Sequence, residues 1–339
     1  MNAGSQILTG ILMGLCVCIL TACGRVEKER SETAVQGAEA TLQQTAIPEN
    51  YYIKNSKVTE VMRDPAFGDY GHLIFPVDIV ISEDLELKDV EDILPWYSEV
   101  NPKKTVEIVN YMKDRVTDGE QIFYDIYSEE EKEAKEDTGL FFFRGDPGAK
   151  TAIVNAGGGF MYVAAMHDSF PQALELAKNG YNAFALIYRP GADTACEDLA
   201  RAIAYLHEHA QELQIDMTDY SLWGGSAGAR MAAWLGSYGT AYFGEEEYPA
   251  PAAVIMQYTG LSSVTGQEPP TYACVGTSDY IASYESMEQY ISRLRRNGTN
   301  AEIEVFTGLS HGFGLGEGTV GLTVPWTSGS RIAVSNTEK

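Results

Sequence analysis

The stretch that decides the fold is Leu222-Trp223-Gly224-Gly225-Ser226-Ala227-Gly228-Ala229. The bulky residues before Gly224 predict a buried strand, and the Ala-, Met- and Arg-rich run Ala227 to Leu235 predicts a helix. A tight Gly-x-Ser-x-Gly turn between strand and helix holds a serine hydroxyl exposed, beside a backbone N–H. The stretch therefore predicts Ser226 as a nucleophile, and a glycine-rich turn without chemistry is the alternative.

Composition limits the number of domains and the classes of partner. The chain has 339 residues, a hydrophobic fraction of 45% and a formal net charge of −24. This length suits one large α/β domain with additions, or two small domains. The acid excess argues against a nucleic-acid partner and against charge-driven binding to an anionic membrane surface. A neutral small-molecule substrate remains open.

Cofactor signals are weak throughout the sequence. There is no P-loop and no Gly-x-Gly-x-x-Gly turn between a predicted strand and a predicted helix. Cys16 and Cys18 fall in the first apolar run, and neither Cys196 nor Cys274 has metal-ligand spacing. We therefore expect no cofactor and no metal, and we expect Cys196 and Cys274 to be small buried residues.

The first residues predict a processing segment. The apolar run Ile7 to Leu20 is short for a membrane span, and Leu20-Thr21-Ala22-Cys23 follows it. This tetrapeptide resembles the bacterial lipobox, which implies a signal peptide over 1–22 and a lipidated Cys23 as the mature N-terminus. No Lys or Arg precedes the apolar run, so an uncleaved anchor is the alternative. Either way we expect an extracytoplasmic, membrane-anchored protein at a bacterial surface or in a periplasm, with the lipid as its only membrane contact.

Four further regions follow along the chain. Residues 23–49 are polar without apolar periodicity and predict a flexible tether. Residues 50–119 hold aromatics, prolines and one helical stretch, Lys104 to Met112, and predict a pre-domain or cap packed on the core. Residues 120–316 predict the catalytic domain. Residues 317–339 show no helical stripe and form an atypical tail; a frameshifted or truncated end is our hypothesis for it.

Within 120–316, strand and helix patterns alternate. Two adjoining strand patterns come first, and a charged connector, Glu129 to Asp137, separates them. From Ala152 onward strands and helices follow one another, which predicts an α/β fold with a doubly wound, mostly parallel sheet and antiparallel N-terminal edge strands. Predicted strands are Gln121–Tyr127, Gly139–Arg144, Thr151–Asn155, Ala183–Tyr188, Tyr220–Trp223, Ala253–Met256, Thr271–Val275 and Ile303–Phe306, and predicted helices are Asp198–Leu213 and Tyr284–Arg296, with a further helix capped by Asp168 or Ser169 and ending at Gly180.

A serine nucleophile needs a base to take its proton and a carboxylate to orient that base. Working residues of open α/β sheets lie beyond the carboxyl ends of strands. Ser226, Asp279 and His311 each follow a predicted strand, so they form the predicted catalytic triad. The other candidates have ordinary roles: His72 lies in the pre-domain, His167 faces the pocket or helps cap a helix, His207 and His209 lie solvated on a helix, and Glu285 and Glu288 lie on a helix surface.

Acyl transfer also needs donors for the negative oxygen of its tetrahedral intermediate. Gly157-Gly158-Gly159 follows the first predicted parallel strand, where unobstructed N–H groups can point inward. The Ala227 N–H lies next to the nucleophile. These residues predict an oxyanion hole, and a loose glycine loop is the alternative.

These motifs, together with Phe160, Tyr188-Arg189 and His311-Gly312-Phe313, resemble the α/β-hydrolase fold. More narrowly, they resemble the acetyl-esterase and hormone-sensitive-lipase-like carboxylesterases, over roughly residues 121–316. The resemblance implies Ser226 as nucleophile, Asp279 and His311 as its partners, Gly158, Gly159 and Ala227 as oxyanion donors, and Tyr188 and Arg189 as structural support. Ala156 departs from the family, which has His before the glycine triplet, and the tail lacks the family's final amphipathic helix.

The leading interpretation is a serine ester hydrolase that cleaves small, acetyl-type acyl esters through an acyl-enzyme. Its substrate would be a small-molecule or carbohydrate ester met outside the cell. One alternative is a prolyl-oligopeptidase-like peptidase, although the segment before the core is too short for the propeller of those enzymes. The other alternative is a surface binding protein on an inactive hydrolase fold.

Overall fold

The computed structural model describes residues 51–128, 130–131 and 135–315. The described strands are β1 Phe123–Asp125, β2 Gly139–Phe143, β3 Lys150–Asn155, β4 Asn182–Ile187, β5 Asp216–Gly225, β6 Ala253–Gln257, β7 Thr271–Gly276 and β8 Ala301–Phe306. They form one eight-stranded sheet in the order β1-β2-β4-β3-β5-β6-β7-β8.

Pairing within the sheet follows the prediction. β1 and β2 are antiparallel to each other, and β2 is antiparallel to β4. All pairs from β4 to β8 are parallel. Strands β2, β4, β6 and β7 are buried along their whole length, as strands covered on both faces require. The predicted α/β class, with a mostly parallel sheet and antiparallel edge strands, is confirmed.

Helices connect and cover the strands. The α-helices are α1 Val58–Met62, α2 Pro102–Thr117, α3 Ala165–Asp168, α4 Phe170–Lys178, α5 Ala192–Glu208, α6 Ala210–Leu213, α7 Ala227–Tyr238 and α8 Tyr284–Arg296. Short 3-10 helices span Pro65–Ile74, Leu87–Ile93 and Ala241–Phe243. α4 packs on β3 and β4, α7 packs on β5 and β6 and contacts α5, and α8 packs on β7 and β8.

The predicted starts of two helices can be compared with the structure. Asp198 was expected to begin a helix that runs to Leu213, but α5 begins at Ala192 and ends at Glu208. Asp198 lies inside α5, where its buried carboxylate accepts hydrogen bonds from the backbone N–H and guanidinium of Arg189. Ser169 occupies the N-cap position of α4, one of the two predicted residues, but its side chain makes no capping hydrogen bond.

The segment before the sheet packs against it. α2 contacts α4, and buried residues such as Phe67 and Ile108 belong to the same hydrophobic core as the strands. The domain boundaries at 50, 120 and 316 stay predictions. This packing nevertheless places the loop that follows Leu94 beside the carboxyl ends of the parallel strands.

Several predictions from the termini fall outside the described residues: the signal peptide 1–22, Cys23, the tether 23–49 and the tail 317–339. Among the helices that are described, none combines the length and the apolar character that a membrane span needs. Cys196 and Cys274 are both buried and unbridged, as predicted. Burial raises the pKa of the Cys196 thiol to about 12.

Candidate active site

Ser226 lies at a strained turn between β5 and α7. Its backbone has φ +52° and ψ −115°, a conformation that residues with side chains rarely adopt. The Ser226 N–H donates to the Gln257 carbonyl oxygen at 2.9 Å, which ties the turn to the end of β6. Such strain concentrates at functional sites, where the surrounding structure holds it in place.

The glycines around Ser226 are required by close approach of the backbone. A Cβ on Gly228 would lie 2.0 Å from the Asn155 carbonyl oxygen, and a Cβ on Gly224 would lie 2.3 Å from the carbonyl carbon of Gly228. The first turn of α7 therefore packs directly on the end of β3. This contact brings the nucleophile turn next to the glycine loop that follows β3.

The three residues predicted to form a triad lie together. His311 Nε2 is 3.1 Å from Ser226 Oγ, and His311 Nδ1 is 2.8 Å from Asp279 Oδ2. The other carboxylate oxygen of Asp279 accepts backbone N–H bonds from Ile281 and Ala282, at 2.8 and 2.7 Å. Since both of its oxygens are engaged, the carboxylate is fixed and holds the imidazole in place. The arrangement can transfer a proton from the serine hydroxyl to the histidine.

The residues of the glycine loop after β3 have different roles. The Gly157 N–H donates to Asp168 Oδ2 at 2.8 Å, so it is not free for a substrate oxygen. Gly158 has φ +138°, and a Cβ there would lie 1.9 Å from the Tyr162 carbonyl oxygen. Gly159 and Ala227 line the cavity beside Ser226. Gly158, Gly159 and Ala227 as oxyanion donors stay a prediction.

A cavity of about 200 Å³ opens over Ser226 and His311. Phe160, Tyr258 and Ile281 give it apolar walls, and Arg230 brings a positive charge to its lining. A volume of this size admits a small acyl group together with part of an alcohol.

Sequence reasoning missed a buried carboxylate behind the nucleophile. Asp168 is fully buried and accepts hydrogen bonds from the Gly157 N–H, from the Tyr258 hydroxyl, and at 3.4 Å from the Tyr97 hydroxyl. Burial raises the pKa of Asp168 to about 6, although the hydrogen bonds from Tyr258 and Gly157 act in the opposite direction. A Cβ on Gly225 would lie 2.3 Å from its carboxylate, so Asp168 also packs against the nucleophile turn.

Tyr258 is the second residue that sequence reasoning missed. Burial and the neighbouring Asp168 charge raise the pKa of its hydroxyl well above the ordinary value. Its ring meets the His311 ring edge-on, with centroids 5.1 Å apart. Tyr258 therefore connects the Asp168 carboxylate to the predicted base. Its position directly after β6 was the available signal.

The pre-domain segment reaches the site through two adjacent residues. Ser98 Oγ donates to the His311 carbonyl oxygen at 3.2 Å. A Cβ on Gly312 would lie 2.6 Å from the Tyr97 ring, so this ring packs closely on the loop that carries the base. Residues 50–119 therefore support the His311 loop from outside the sheet.

Tyr188 and Arg189 have the structural roles that the resemblance implied. The Tyr188 hydroxyl donates to the Ala156 carbonyl oxygen at 2.8 Å, which fixes the start of the glycine loop. The Arg189 guanidinium binds the Asp198 carboxylate at 2.6 Å, and that carboxylate is fully buried. Both contacts stabilise the strand ends that surround the site.

Two of the remaining histidines lie at the end of α5. His207 was expected to be solvated, but its ring stacks on Tyr248 with centroids 5.1 Å apart and meets Tyr220 edge-on. Burial lowers the pKa of His207, so that expectation was wrong. His209 lies 3.2 Å from the Glu212 carboxylate.

The other two histidines are also engaged elsewhere. His167 is buried in α3, where its Nε2 donates to the Val90 carbonyl oxygen at 3.1 Å and its ring lies against Tyr97. Burial lowers its pKa to about 4. It neither lines the cavity around Ser226 nor caps α4. His72 lies 2.7 Å from the Asp137 carboxylate, at the surface.

Comparisons with known proteins agree with this architecture. The BD-FAE family model matches residues 144–253, less than half of the chain. Comparison with the curated proteins finds no match.

Solved structures give broader coverage. An α/β hydrolase, MGS-M1, from a Medee basin deep-sea metagenome library has a TM-score of 0.53 at 20% identity, covering 64% of this chain and 97% of that chain. An acetyl ester-xyloside bifunctional hydrolase from Caldicellulosiruptor lactoaceticus has a TM-score of 0.53 at 19% identity, covering 64% and 94%. The thermophilic esterase Est2 from Thermogutta terrifontis has a TM-score of 0.52 at 20% identity, covering 63% and 90%. With the strand order described above, these likenesses show that the chain has the α/β-hydrolase fold.

Proposed function

We propose that the chain is a serine ester hydrolase that cleaves small acyl esters through an acyl-enzyme intermediate. The observation that carries the proposal is the continuous hydrogen-bonded series from Ser226 Oγ through His311 to Asp279, with distances of 3.1 and 2.8 Å. This series opens onto a cavity large enough for a small ester.

The proposed reaction follows from the positions of these groups. Ser226 Oγ attacks the ester carbonyl carbon while His311 Nε2 takes the hydroxyl proton, and Asp279 stabilises the resulting imidazolium. The N–H groups of Gly158, Gly159 and Ala227 would bind the negative oxygen of the tetrahedral intermediate. His311 then returns the proton to the departing alcohol, leaving the acyl group on Ser226. Water attacks this ester while His311 takes a proton from it, and His311 passes that proton to Ser226 Oγ as the acid is released.

The substrate proposal rests on the cavity and on fold relatives. A cavity of about 200 Å³ favours acetyl or similarly short acyl groups over long chains. One relative of the fold is described as an acetyl ester-xyloside bifunctional hydrolase. Acylated carbohydrate is therefore the first natural substrate class to test for this chain.

Hydrolysis of p-nitrophenyl acetate, butyrate and octanoate tests the proposal. We expect the full chain to hydrolyse acetate best and the Ser226→Ala variant to lose this activity. Ser237→Ala is the matched control, because Ser237 lies on the same helix and its hydroxyl bonds the Ala233 carbonyl oxygen. A folded chain that hydrolyses none of the three esters, and whose Ser226 is not labelled by a fluorophosphonate, would contradict the proposal and favour a binding protein.

We also propose that lipid on Cys23 tethers the enzyme outside the cytoplasm. The support is the sequence Leu20-Thr21-Ala22-Cys23 after an apolar run. In a bacterial host, radiolabelled palmitate should enter the wild-type chain and not Cys23→Ala. Equal labelling of both would refute lipidation at Cys23.

A further inference from the structure

Arg230 occupies an unusual position beside the nucleophile. It lies one helical turn after Ser226 in α7, and its backbone N–H donates to the Ser226 carbonyl oxygen at 3.2 Å. Its side chain is half-buried and lines the same cavity as Ser226 and His311. Any ester bound for attack by Ser226 therefore lies close to a guanidinium group.

Two contacts hold the Arg230 guanidinium in place. One terminal nitrogen donates to the Gly260 carbonyl oxygen at 2.8 Å, and the group lies over the Trp234 ring at 5.7 Å. Trp234 in turn stacks on Phe160, which is also a cavity wall. Within residues 51–128, 130–131 and 135–315, no carboxylate lies within ion-pair distance of Arg230. A guanidinium has five N–H donors in a planar fork, so donors remain for a ligand.

The charge of the cavity lining differs from that of the chain as a whole. The chain has 48 acidic and 24 basic residues. Among the residues that the structure describes, the cavity lining contains Arg230 but no Asp or Glu, and the first turn of α7 has no acidic residue either. The start of a helix adds positive potential at the same place. Arg230 therefore gives the cavity lining a positive charge inside a strongly acidic chain.

We propose that Arg230 binds a carboxylate carried by the ester substrate, so that the preferred substrates are monoanionic esters. The planar guanidinium matches a carboxylate through two parallel hydrogen bonds, and partial burial strengthens such a pair. This inference rests on the proposed ester hydrolase function. It narrows the substrate class to esters whose acid or alcohol part bears a free carboxylate.

A purely structural role for Arg230 makes a different prediction. If Arg230 only supported the Gly260 backbone and the Trp234 ring, its loss would slow hydrolysis of charged and neutral esters alike. A binding role lowers the rate for the charged ester alone. The ratio of the two rates separates the roles.

Two pairs of esters, each a carboxylate and its neutral amide of similar shape, test which side of the substrate ester carries the carboxylate. 4-Acetoxybenzoate against 4-acetoxybenzamide places the carboxylate or its neutral amide on the alcohol side. Monoethyl succinate against ethyl succinamate places them on the acyl side. For each pair, kcat/KM is measured with the full wild-type chain, Arg230→Gln, Arg230→Lys and Arg296→Gln, the last being an exposed arginine at the end of α8.

In at least one pair, we expect the wild-type ratio of charged to neutral kcat/KM to fall about 10- to 100-fold in Arg230→Gln, as for loss of a charged hydrogen bond. Arg230→Lys should keep part of the preference, and Arg296→Gln should keep all of it. The pair that responds identifies the side of the ester that bears the carboxylate. An unchanged ratio in both pairs, or an equal fall for both members, would overturn the inference.

Binding without turnover separates this inference from the proposed function. In Ser226→Ala, titration calorimetry should show tighter binding of 4-acetoxybenzoate or monoethyl succinate than of its amide, and adding Arg230→Gln should remove the difference. If wild type hydrolyses nothing but this preference is present, the enzyme proposal fails and the anion site stands. If wild type hydrolyses esters but the preference is absent from both assays, only the anion site fails.

Discussion

Replacing Asp168 by Asn should change how the stability of the protein depends on pH. Asp168 is fully buried and accepts hydrogen bonds from Gly157, Tyr97 and Tyr258, and burial raises its pKa from 3.8 to about 6. The folded state therefore holds this proton more tightly than the unfolded chain. Its contribution to stability is complete below the unfolded pKa and is lost as the pH rises through the folded pKa.

The magnitude follows from the shift. At about 1.4 kcal/mol for each pKa unit, a rise from 3.8 to about 6 corresponds to about 3 kcal/mol. Asn is uncharged at every pH in this range and has nearly the same shape. The free energy of unfolding of Asp168→Asn should therefore rise relative to wild type between pH 4 and pH 7, by up to about 3 kcal/mol, and the difference should be constant above pH 7.

Guanidinium unfolding followed by tryptophan fluorescence at several pH values measures this difference. Asp78→Asn controls for the change of net charge, because Asp78 is exposed at the surface. Its difference from wild type should not show the same rise. If the difference between Asp168→Asn and wild type is constant within about 0.5 kcal/mol from pH 4 to pH 7, or falls, the carboxylate does not titrate as its burial requires, and the reasoning is wrong.

Three further substitutions test the site and its supports. Gly228→Ala would place a Cβ 2.0 Å from a β3 carbonyl oxygen, so we expect a large fall in melting temperature. Asp279→Asn should lower kcat about 10⁴-fold with little loss of thermal stability, because the imidazole loses its orienting carboxylate. Arg189→Met removes the cation that pairs with the fully buried Asp198 carboxylate and should cost about 3–5 kcal/mol in denaturant unfolding. An unchanged melting temperature for Gly228→Ala, an unchanged kcat for Asp279→Asn or an unchanged free energy of unfolding for Arg189→Met would contradict the contact described for that residue.

The strands were predictable because most are uninterrupted apolar runs, but their polar ends were not. β5 was expected to begin at Tyr220 and instead begins at Asp216. Asp216 and Asp219 continue the strand because both pair with Lys150 on the neighbouring strand, each at 2.9 Å. Polar residues can be assigned to a strand only when their partners on the neighbouring strand are known. α8 has the predicted bounds because Ser283 caps it locally, through a bond from the Ser286 N–H.

The candidate triad was predictable for a different reason. Each of its members follows a strand, so chain order and strand ends were sufficient to select Ser226, Asp279 and His311. Asp168 could not be found that way, because its sequence neighbours fit a helix cap equally well. Its role depends on which loop its carboxylate meets after the helix folds back. In the sequence, Arg230 is part of an ordinary helical pattern. Only the structure shows that it lies on the face of α7 that lines the cavity.

The rule that functional residues follow the carboxyl ends of parallel strands also accounts for site residues outside the triad. β3 is followed by the glycine loop, β5 by Ser226, β6 by Tyr258, and β7 and β8 by loops that carry Asp279 and His311. β3 and β5 are adjacent although β4 lies between them in the chain, so the strand order reverses where the glycine loop meets the nucleophile turn. Tyr258 belongs to this series because its hydroxyl binds Asp168 while its ring faces His311. Five parallel strands therefore each contribute one part of the site. A mutation at Tyr258 should disturb the position of His311, although Tyr258 is not a residue type that a search for Ser, His and Asp would select.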